Sequence, residues 1–543
     1  MKFLAMMMIA VVTGACCASC SDDDDDAPVA LNKFTISDAS VSLTVGATKT
    51  LACQFYPAEV ADQSVSWSSS DDAVATVSAE GLVTALKPGS ASITAVPAAN
   101  PELKQTCAVS VVANKITLPD DGRVEGTWSA YSTVIVDRQL YVPEGKSLTI
   151  EEGVQVLFNS NDANKTGIEF SVDGNIYCKG TAAAPILFSV ADNDRKVENL
   201  NQTDKLWGGF MLRSSSASAE ALFDNCVLEY AGSAMTETSP SVLAGIYSAG
   251  EDFGVQITTG PQFRGNLVVT NCIIRNGYAD GIYMQGGNGL IVNNIFSCNG
   301  ATGGEAVNVK AGTSTTVAYN VMYSPNTNGL KLSASGQDDA AGRFQSKCVA
   351  YNNTIVNAGW RRDGEKGGCI YVEKNILVNV FNNLMVNCKF RTQAPSWGNP
   401  GVKDGCDDKS VIDYNCYVSG SVTSDFTQDQ KEGGIKAPWV GYTAANKNYY
   451  DGKGVDDHSV WAKAANDITL SFANFAYATN ALSNMSFDDQ WSFATTQMPS
   501  GAVDGATLYS LSNSAGSMDF VAKGITVGGI TYKADRPAQR FGI

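Results

Sequence analysis

The stretch Gly281 to Ser333, GIYMQGGNGLIVNNIFSCNGATGGEAVNVKAGTSTTVAYNVMYSPNTNGLKLS, repeats one short pattern. A small residue is followed by alternating apolar positions at Gly281-Ile-Tyr-Met-Gln, Ala306-Val-Asn-Val-Lys and Gly329-Leu-Lys-Leu-Ser, with steps of 25 and 23 residues. Alternation of this kind is the pattern of a strand with one buried face. No single strand of this length buries that face alone, so a recurrence every 23 to 25 residues calls for stacked coils that bury it together.

The same frame extends in both directions. Gly167-Ile-Glu-Phe-Ser, Gly209-Phe-Met-Leu-Arg and Gly245-Ile-Tyr-Ser-Ala precede it, Cys369-Ile-Tyr-Val-Glu follows it, and steps of 36, 40 and 42 residues imply loops inserted into coils. Ile168, Phe210, Ile246, Ile282, Val307, Leu330 and Ile370 are then expected to stack inward, with coils ~4.8 Å apart. A second frame, an Asn followed by apolar residues, contains Asn225, Asn271, Asn294, Asn320, Asn353, Asn383 and Asn415. Asn suits a sharp left-handed bend, and stacked amides can bond along a ladder, so these side chains read as structural. Cys226 and Cys272 follow their Asn and read as small stacking residues. The opening coils, LTIEEGVQVLF from Leu148 and GNIYCKGTAAAPILFSVA from Gly174, together with the repeat, resemble the right-handed parallel β-helix proteins related to pectate lyases. The resemblance covers about residues 115 to 420 and implies a fold far more than an activity.

Before the repeat, residues 31–113 contain VSWSSSDDAVATVSAEGLVTALKPGSASITA, Val65 to Ala95, with short Val/Thr/Ile runs between Ser-Asp, Glu-Gly and Pro-Gly turns. This unit resembles the bacterial immunoglobulin-like group 2 family, which implies a stalk or spacer. Trp67 reads as a core residue, and Cys53 and Cys107 as either a bridge between first and last strands or two free thiols. The fold class is therefore all-β: an immunoglobulin-like sandwich, then a right-handed parallel β-helix over 114–420, then irregular end coils and a C-terminal cap over 421–543.

Residues 1–19, MKFLAMMMIAVVTGACCAS, read as a signal peptide: one cation, an apolar run from Phe3 to Val12, then small residues. Cys20 closes it and is the expected lipidation site, with Cys16 and Cys17 as alternatives. The Ser-Asp-Asp-Asp-Asp-Asp that follows resembles the acidic export tag of Gram-negative surface lipoproteins, so residues 20–30 form a lipidated acidic tether in an outer-membrane, cell-surface protein; a periplasm-facing spacer is the plainer reading. The formal charge of −17 argues against nucleic acid as a partner. Of the fourteen cysteines three lie in the export signal, and the other eleven show no CxxC pairs and no regular framework, so no structural zinc is expected.

Chemistry is expected, if anywhere, on the outward rows of the first frame: Glu169, Met211, Tyr247, Tyr283, Asn308, Lys331, Tyr371 and Ser171, Arg213, Ala249, Gln285, Lys310, Ser333, Glu373. A polysaccharide lyase needs a base for the proton α to a uronate carboxylate, for which Lys310, Arg213 and Lys331 are candidates. Asp280, Glu305 and Asn328 hold one position on adjacent coils and could offer oxygens to Ca²⁺. Tyr247, Tyr283, Tyr371 and the loop residues Trp360, Arg361 and Arg362 are candidates for glycan contact. A polygalacturonase-like hydrolase would show paired aspartates and a Gly-His-Gly, whereas the one histidine here is His458. The leading functional expectation is a face that binds extracellular polysaccharide or matrix. A uronate-specific lyase and a protein-binding adhesin are the alternatives.

Overall fold

The computed structural model describes residues 29–159, 167–191, 194, 205–251, 254–301, 303–356, 358–359, 362, 367–386, 388, 392, 407, 409–413, 415–418, 460–462 and 524–534. Cys16, Cys17, Cys20, Trp360, Arg361 and His458 lie outside the described residues. The chain forms two units, Met1–Ala113 and Asn114–Ile543. Among the described residues no helix is long and apolar enough to cross a membrane.

In the first unit, Ser40–Thr44, Gln105–Val112, Gly89–Pro97 and Val65–Ser69 make a four-stranded sheet, and Thr48–Thr50, Leu82–Ala85 and Ala75–Val77 a three-stranded one. Alternate residues such as Ile93, Cys107, Val109 and Val83 fill the space between them, and Trp67 packs against that core. Gly81 is required at φ +78°, because a Cβ there would stand 2.7 Å from the Trp67 ring. Cys53 and Cys107 are free thiols, which decides between the two readings of that pair.

The second unit is a solenoid of three parallel sheets. Sheet I runs from Leu140–Val142 to Gly368–Glu373, sheet II from Gly126–Trp128 to Val411–Ile412, and sheet III from Lys115–Ile116 to Val460–Ala462, so sheet III continues past residue 420. In sheet I, Leu140, Phe170, Phe210, Ile257, Ile282, Val307, Leu330 and Ile370 lie in one register and point into a single buried core.

Two members of the expected stack are corrected. Phe170, not Ile168, pairs with Phe210. The coil strand after Phe210 is Val255–Thr259, not the segment at Ile246. Gly245, Ile246 and Tyr247 belong to an inserted loop that follows the short helix Pro240–Leu243. A glycine followed by alternating apolar residues mimicked a coil strand there, although the true strand begins after Gly254. That strand carries a β-bulge at Gln256, since Gly209 pairs with Val255 while Phe210 pairs with Ile257.

The asparagine frame splits into two adjacent positions. Asn225, Asn271, Asn293, Asn352 and Asn382 take φ between 54° and 59° at the bend. The next residue inward is Cys226, Cys272, Asn294, Asn320, Asn353, Asn383 or Asn415. From Asn294 onward each ladder side chain accepts from, or donates to, its neighbour: Asn294 Nδ2 to Asn320 Oδ1 at 3.0 Å, Asn320 to Asn353 at 2.9 Å, Asn353 to Asn383 at 2.9 Å, Asn383 to Asn415 at 3.1 Å. Cys226 and Cys272 occupy the same inner position, and the Cys272 N–H donates to Asn294 Oδ1 at 2.9 Å. Asn225 and Asn271 are therefore bend residues rather than ladder members.

Near the C-terminus, Ile525–Val527 and Ile530–Tyr532 form a hairpin. It packs on the outer side of sheet II against Leu222 and Val268, with the Gly528 N–H donating to Glu220 at 2.9 Å. This part of the expected cap lies along the side of the solenoid.

Candidate functional site

The outward rows of sheet I define the site. One row reads Ser171, Met211, Thr258, Tyr283, Asn308, Lys331 and Tyr371 in strict register. Its first three members are buried, whereas Tyr283, Lys331 and Tyr371 are partly exposed. The inserted loop covers the early coils: the Ser241 N–H donates to the Glu169 carboxylate at 3.2 Å, and Arg213 donates to the Pro240 carbonyl at 2.7 Å. Glu169 and Tyr247 consequently leave the row assigned to them, as does Ser171 the second row.

Arg213 is also removed from the list of candidate bases. It makes a bidentate pair with Asp173 at 2.9 and 2.8 Å and its side chain is 11% exposed. A guanidinium held in this way is a structural clamp for the covering loop. Arg362 is described, with its backbone N–H donating to the Gly359 carbonyl at 3.2 Å.

On the open coils, Lys310 stands over the Tyr283 ring at 5.7 Å and Lys331 over the Tyr371 ring at 5.7 Å. Lys331 also pairs with Glu373 at 3.6 Å. Burial, and then the neighbouring Lys331 charge, push the Lys310 ammonium below the usual lysine range.

Beside these cations lies an acid pair. Asp280 and Glu305 hold one position on successive coils and are 7% and 6% exposed. Asp280 Oδ1 accepts from the Gly304 and Glu305 N–H groups at 2.9 Å each, and Oδ2 accepts from Asn308 Nδ2 at 2.8 Å. Burial, the Asp280 charge and a hydrogen bond to Asp280 push the Glu305 carboxyl well above the usual range, against the pull of Lys331 and Lys310. Glu305 Oε1 accepts from Asn328 Nδ2 at 3.2 Å. Because both amide nitrogens are committed, Asn308 Oδ1 and Asn328 Oδ1 are left as buried acceptors without a partner among the described residues.

The candidate Ca²⁺ ligands Asp280, Glu305 and Asn328 adjoin one another on successive coils, with the Asp280 oxygens held by the Gly304, Glu305 and Asn308 N–H donors. Among the described residues no group of three or more His, Cys, Asp or Glu side chains is placed to hold a metal ion. Nor does the pair suit glycoside hydrolysis by two carboxylates, which stand about 5 to 9 Å apart and not in direct hydrogen bond.

The acid pair gives the coil a pH dependence. Glu305 binds its proton more tightly folded than unfolded, so its contribution is fully present below the ordinary glutamate pKa and is lost as pH rises through the raised value. Glu305→Gln does not titrate and should flatten the fall in Tm as pH rises above the ordinary glutamate range. A parallel decline in both proteins would contradict the raised Glu305 carboxyl.

A sandwich with this strand order, followed by a three-sheet solenoid with loops covering part of one face, defines an immunoglobulin-like domain joined to a parallel β-helix. The comparisons agree. Residues 30–107 match the bacterial Ig-like domain (group 2), and residues 186–406 match the right handed beta helix region. An uncharacterized protein of Clostridium acetobutylicum is 42% identical over 78 residues, 14% of this chain and 19% of that protein. A 3-O-alpha-D-galactosyl-alpha-L-arabinofuranosidase of Bifidobacterium longum subsp. longum is 37% identical over 86 residues, 16% of this chain and 8% of that protein. A second uncharacterized protein of Clostridium acetobutylicum is 38% identical over 92 residues, 17% of this chain and 10% of that protein. The chain thus spans less than a fifth of the length of each of these relatives.

Proposed function

We propose that this chain is a lipid-anchored cell-surface protein whose β-helix binds extracellular polysaccharide along the open coils of sheet I. The observation that carries the reading is the row Tyr283, Asn308, Lys331, Tyr371, in which two partly exposed tyrosines stand three coils apart with polar side chains between them. Three coils are ~14 Å at ~4.8 Å each. One coil is close to the rise of one sugar ring in an extended chain, so successive side chains meet successive sugars. Tyrosine offers an apolar face for the ring and a hydroxyl for its substituents. The galactosyl-arabinofuranosidase among the relatives adds a weak link to sugar chemistry.

A lyase activity is the second reading, favoured by the depressed Lys310. Lys310 as the neutral amine would take the proton α to a uronate carboxylate, and Lys331 would offset the charge that develops. The leaving oxygen then departs as the double bond forms, so the activity would be visible as ultraviolet absorbance of an unsaturated product.

The anchor reading rests on the apolar run ending at Cys20 and the aspartates Asp22 to Asp26 behind it. Two or more acyl chains, at ~0.8 kcal/mol per buried CH₂, hold such a protein stably. Intact cells carrying the wild-type chain should capture labelled polysaccharide, and cells carrying Cys20→Ala should lose both the capture and the membrane-bound protein. Unchanged membrane association in Cys20→Ala would move the anchor to Cys16 or Cys17. Capture of a host protein and of no glycan would favour an adhesin instead.

A further inference from the structure

The loop inserted between Cys226–Glu229 and Val255–Thr259 closes on itself at a narrow neck. There the Gly254 N–H donates to the Ser233 carbonyl at 2.9 Å, and the Gly232 and Ser233 N–H groups donate to the Trp207 carbonyl at 2.8 and 3.0 Å. Beyond the neck the loop is tied internally: the Gly250 N–H donates to the Met235 carbonyl at 2.8 Å, and the Ile246 N–H to the Ser241 carbonyl at 2.9 Å. Its far end stands in solvent, with Leu243 74% exposed and open space beside Gly245 and Gly250.

The loop meets sheet I at a buried carboxyl. Glu169 is fully buried, and its oxygens accept from Ser171 Oγ and from the Ser241 Oγ and N–H, the last at 3.2 Å. Met235 adjoins this contact from the loop, its Sδ accepting from Ser241 Oγ at 3.7 Å. Arg213 is the cation that acts on Glu169; its own bonds go to Asp173 and the Pro240 carbonyl, and it faces the Tyr141 ring at 5.7 Å. The acids of the loop, Glu237 and Glu251, are exposed. Burial lifts the Glu169 carboxyl above the usual range, against the pull of Ser171, Ser241 and Arg213.

We propose that residues 233–251 are a lid over the early coils of sheet I, latched on Glu169. Swinging about the neck returns Glu169 to water and uncovers Ser171, Met211 and Thr258, which continue the open row of Tyr283 in register. The closed lid buries the carboxyl, so closing favours its protonated form. The lid is therefore held below the ordinary glutamate range and loosens as pH rises above it. Use of the uncovered row by a ligand rests on the proposed polysaccharide face; the lid itself does not.

The test is oxidation of the full chain by dilute hydrogen peroxide, mapped by peptide mass spectrometry, across a pH series that starts in the ordinary glutamate range. Peroxide gives one oxygen to a thioether sulfur it can reach and leaves as water. Met235 and Met211, each 2% exposed, read the lid, whereas Met284 and Met322, fully buried inside the solenoid, read unfolding. In wild type, Met235 and Met211 should oxidise faster as pH rises while Met284 and Met322 stay reduced. Ser241→Ala removes one bond to the latch and should speed Met235 oxidation about tenfold. Glu169→Gln, checked by thermal melting, should remove the pH dependence. Met235 and Met211 as slow as Met284 at every pH, in wild type and in Ser241→Ala alike, would make the loop a fixed cover. Equal rates at all four methionines would trace the exposure to unfolding, and a pH dependence that survives in Glu169→Gln would take the latch away from Glu169. Each of these three results overturns the proposal.

Discussion

Ile282→Asp should abolish folding of the β-helix, while Tyr283→Ala, one residue on, should leave its melting temperature nearly unchanged. Ile282 is fully buried between Ile257 and Val307 in the sheet I stack. Removing the side chain alone would cost about 2 to 5 kcal/mol. The carboxylate adds the larger penalty of an unpaired buried charge, several kcal/mol beyond that. The total approaches or exceeds the whole stability of an ordinary domain, about 5 to 15 kcal/mol. In a solenoid each coil covers its neighbours, so the defect spreads in both directions. Circular dichroism and limited proteolysis would show a lost β-helix beside a protected fragment from the first unit, which has its own core. Equal behaviour of the two variants would mean that the inward and outward positions have been exchanged.

Asn320→Leu should cost about 4 kcal/mol, from several buried groups left unsatisfied at about 1 to 3 kcal/mol each. Asn320 Oδ1 accepts from the Asn294 N–H and Nδ2 at 3.0 Å each, and its Nδ2 donates to the Ile291 carbonyl and to Asn353 Oδ1 at 2.9 Å each. Leucine removes all four bonds and cannot replace one. The adjacent Asn293, at φ 58°, offers the control. Asn293→Gly should be nearly neutral, because glycine accepts a left-handed bend without strain. Urea unfolding of the two variants measures the contrast; equal midpoints would show that the ladder contributes no more than the bend.

The fold was legible where coils are short. Between Gly281 and Ser333 no loop interrupts the period, and the strands Ile282–Met284, Val307–Val309 and Asn328–Ser333 fall where the alternation puts them. Near Ile246 the period failed, because an inserted loop imitates a strand locally and only the pairing of Val255–Thr259 reveals the difference. The asparagines misled by one residue in two coils for a related reason: bend and ladder both favour Asn, and sequence alone does not separate neighbouring positions that share a preference.

The site was legible in part. Tyr283, Lys310, Lys331 and Tyr371 share one face, as the frame implies. What escaped was contact between segments far apart in sequence. The loop that covers Glu169 from Ser241 and the clamp of Arg213 on Asp173 and Pro240 depend on how an insertion folds back. The raised Glu305 carboxyl beside Asp280 depends on burial, which a row of residues does not disclose.

The central claim, that the open coils of sheet I bind polysaccharide, is tested most directly by calorimetric titration of the full chain and of Tyr283→Ala/Tyr371→Ala with whichever polymer the wild type binds. Loss of two ring-stacking contacts should weaken affinity about 10- to 100-fold, with the melting temperature unchanged because both side chains stand on the outer face. Undiminished affinity in the double variant would contradict the claim.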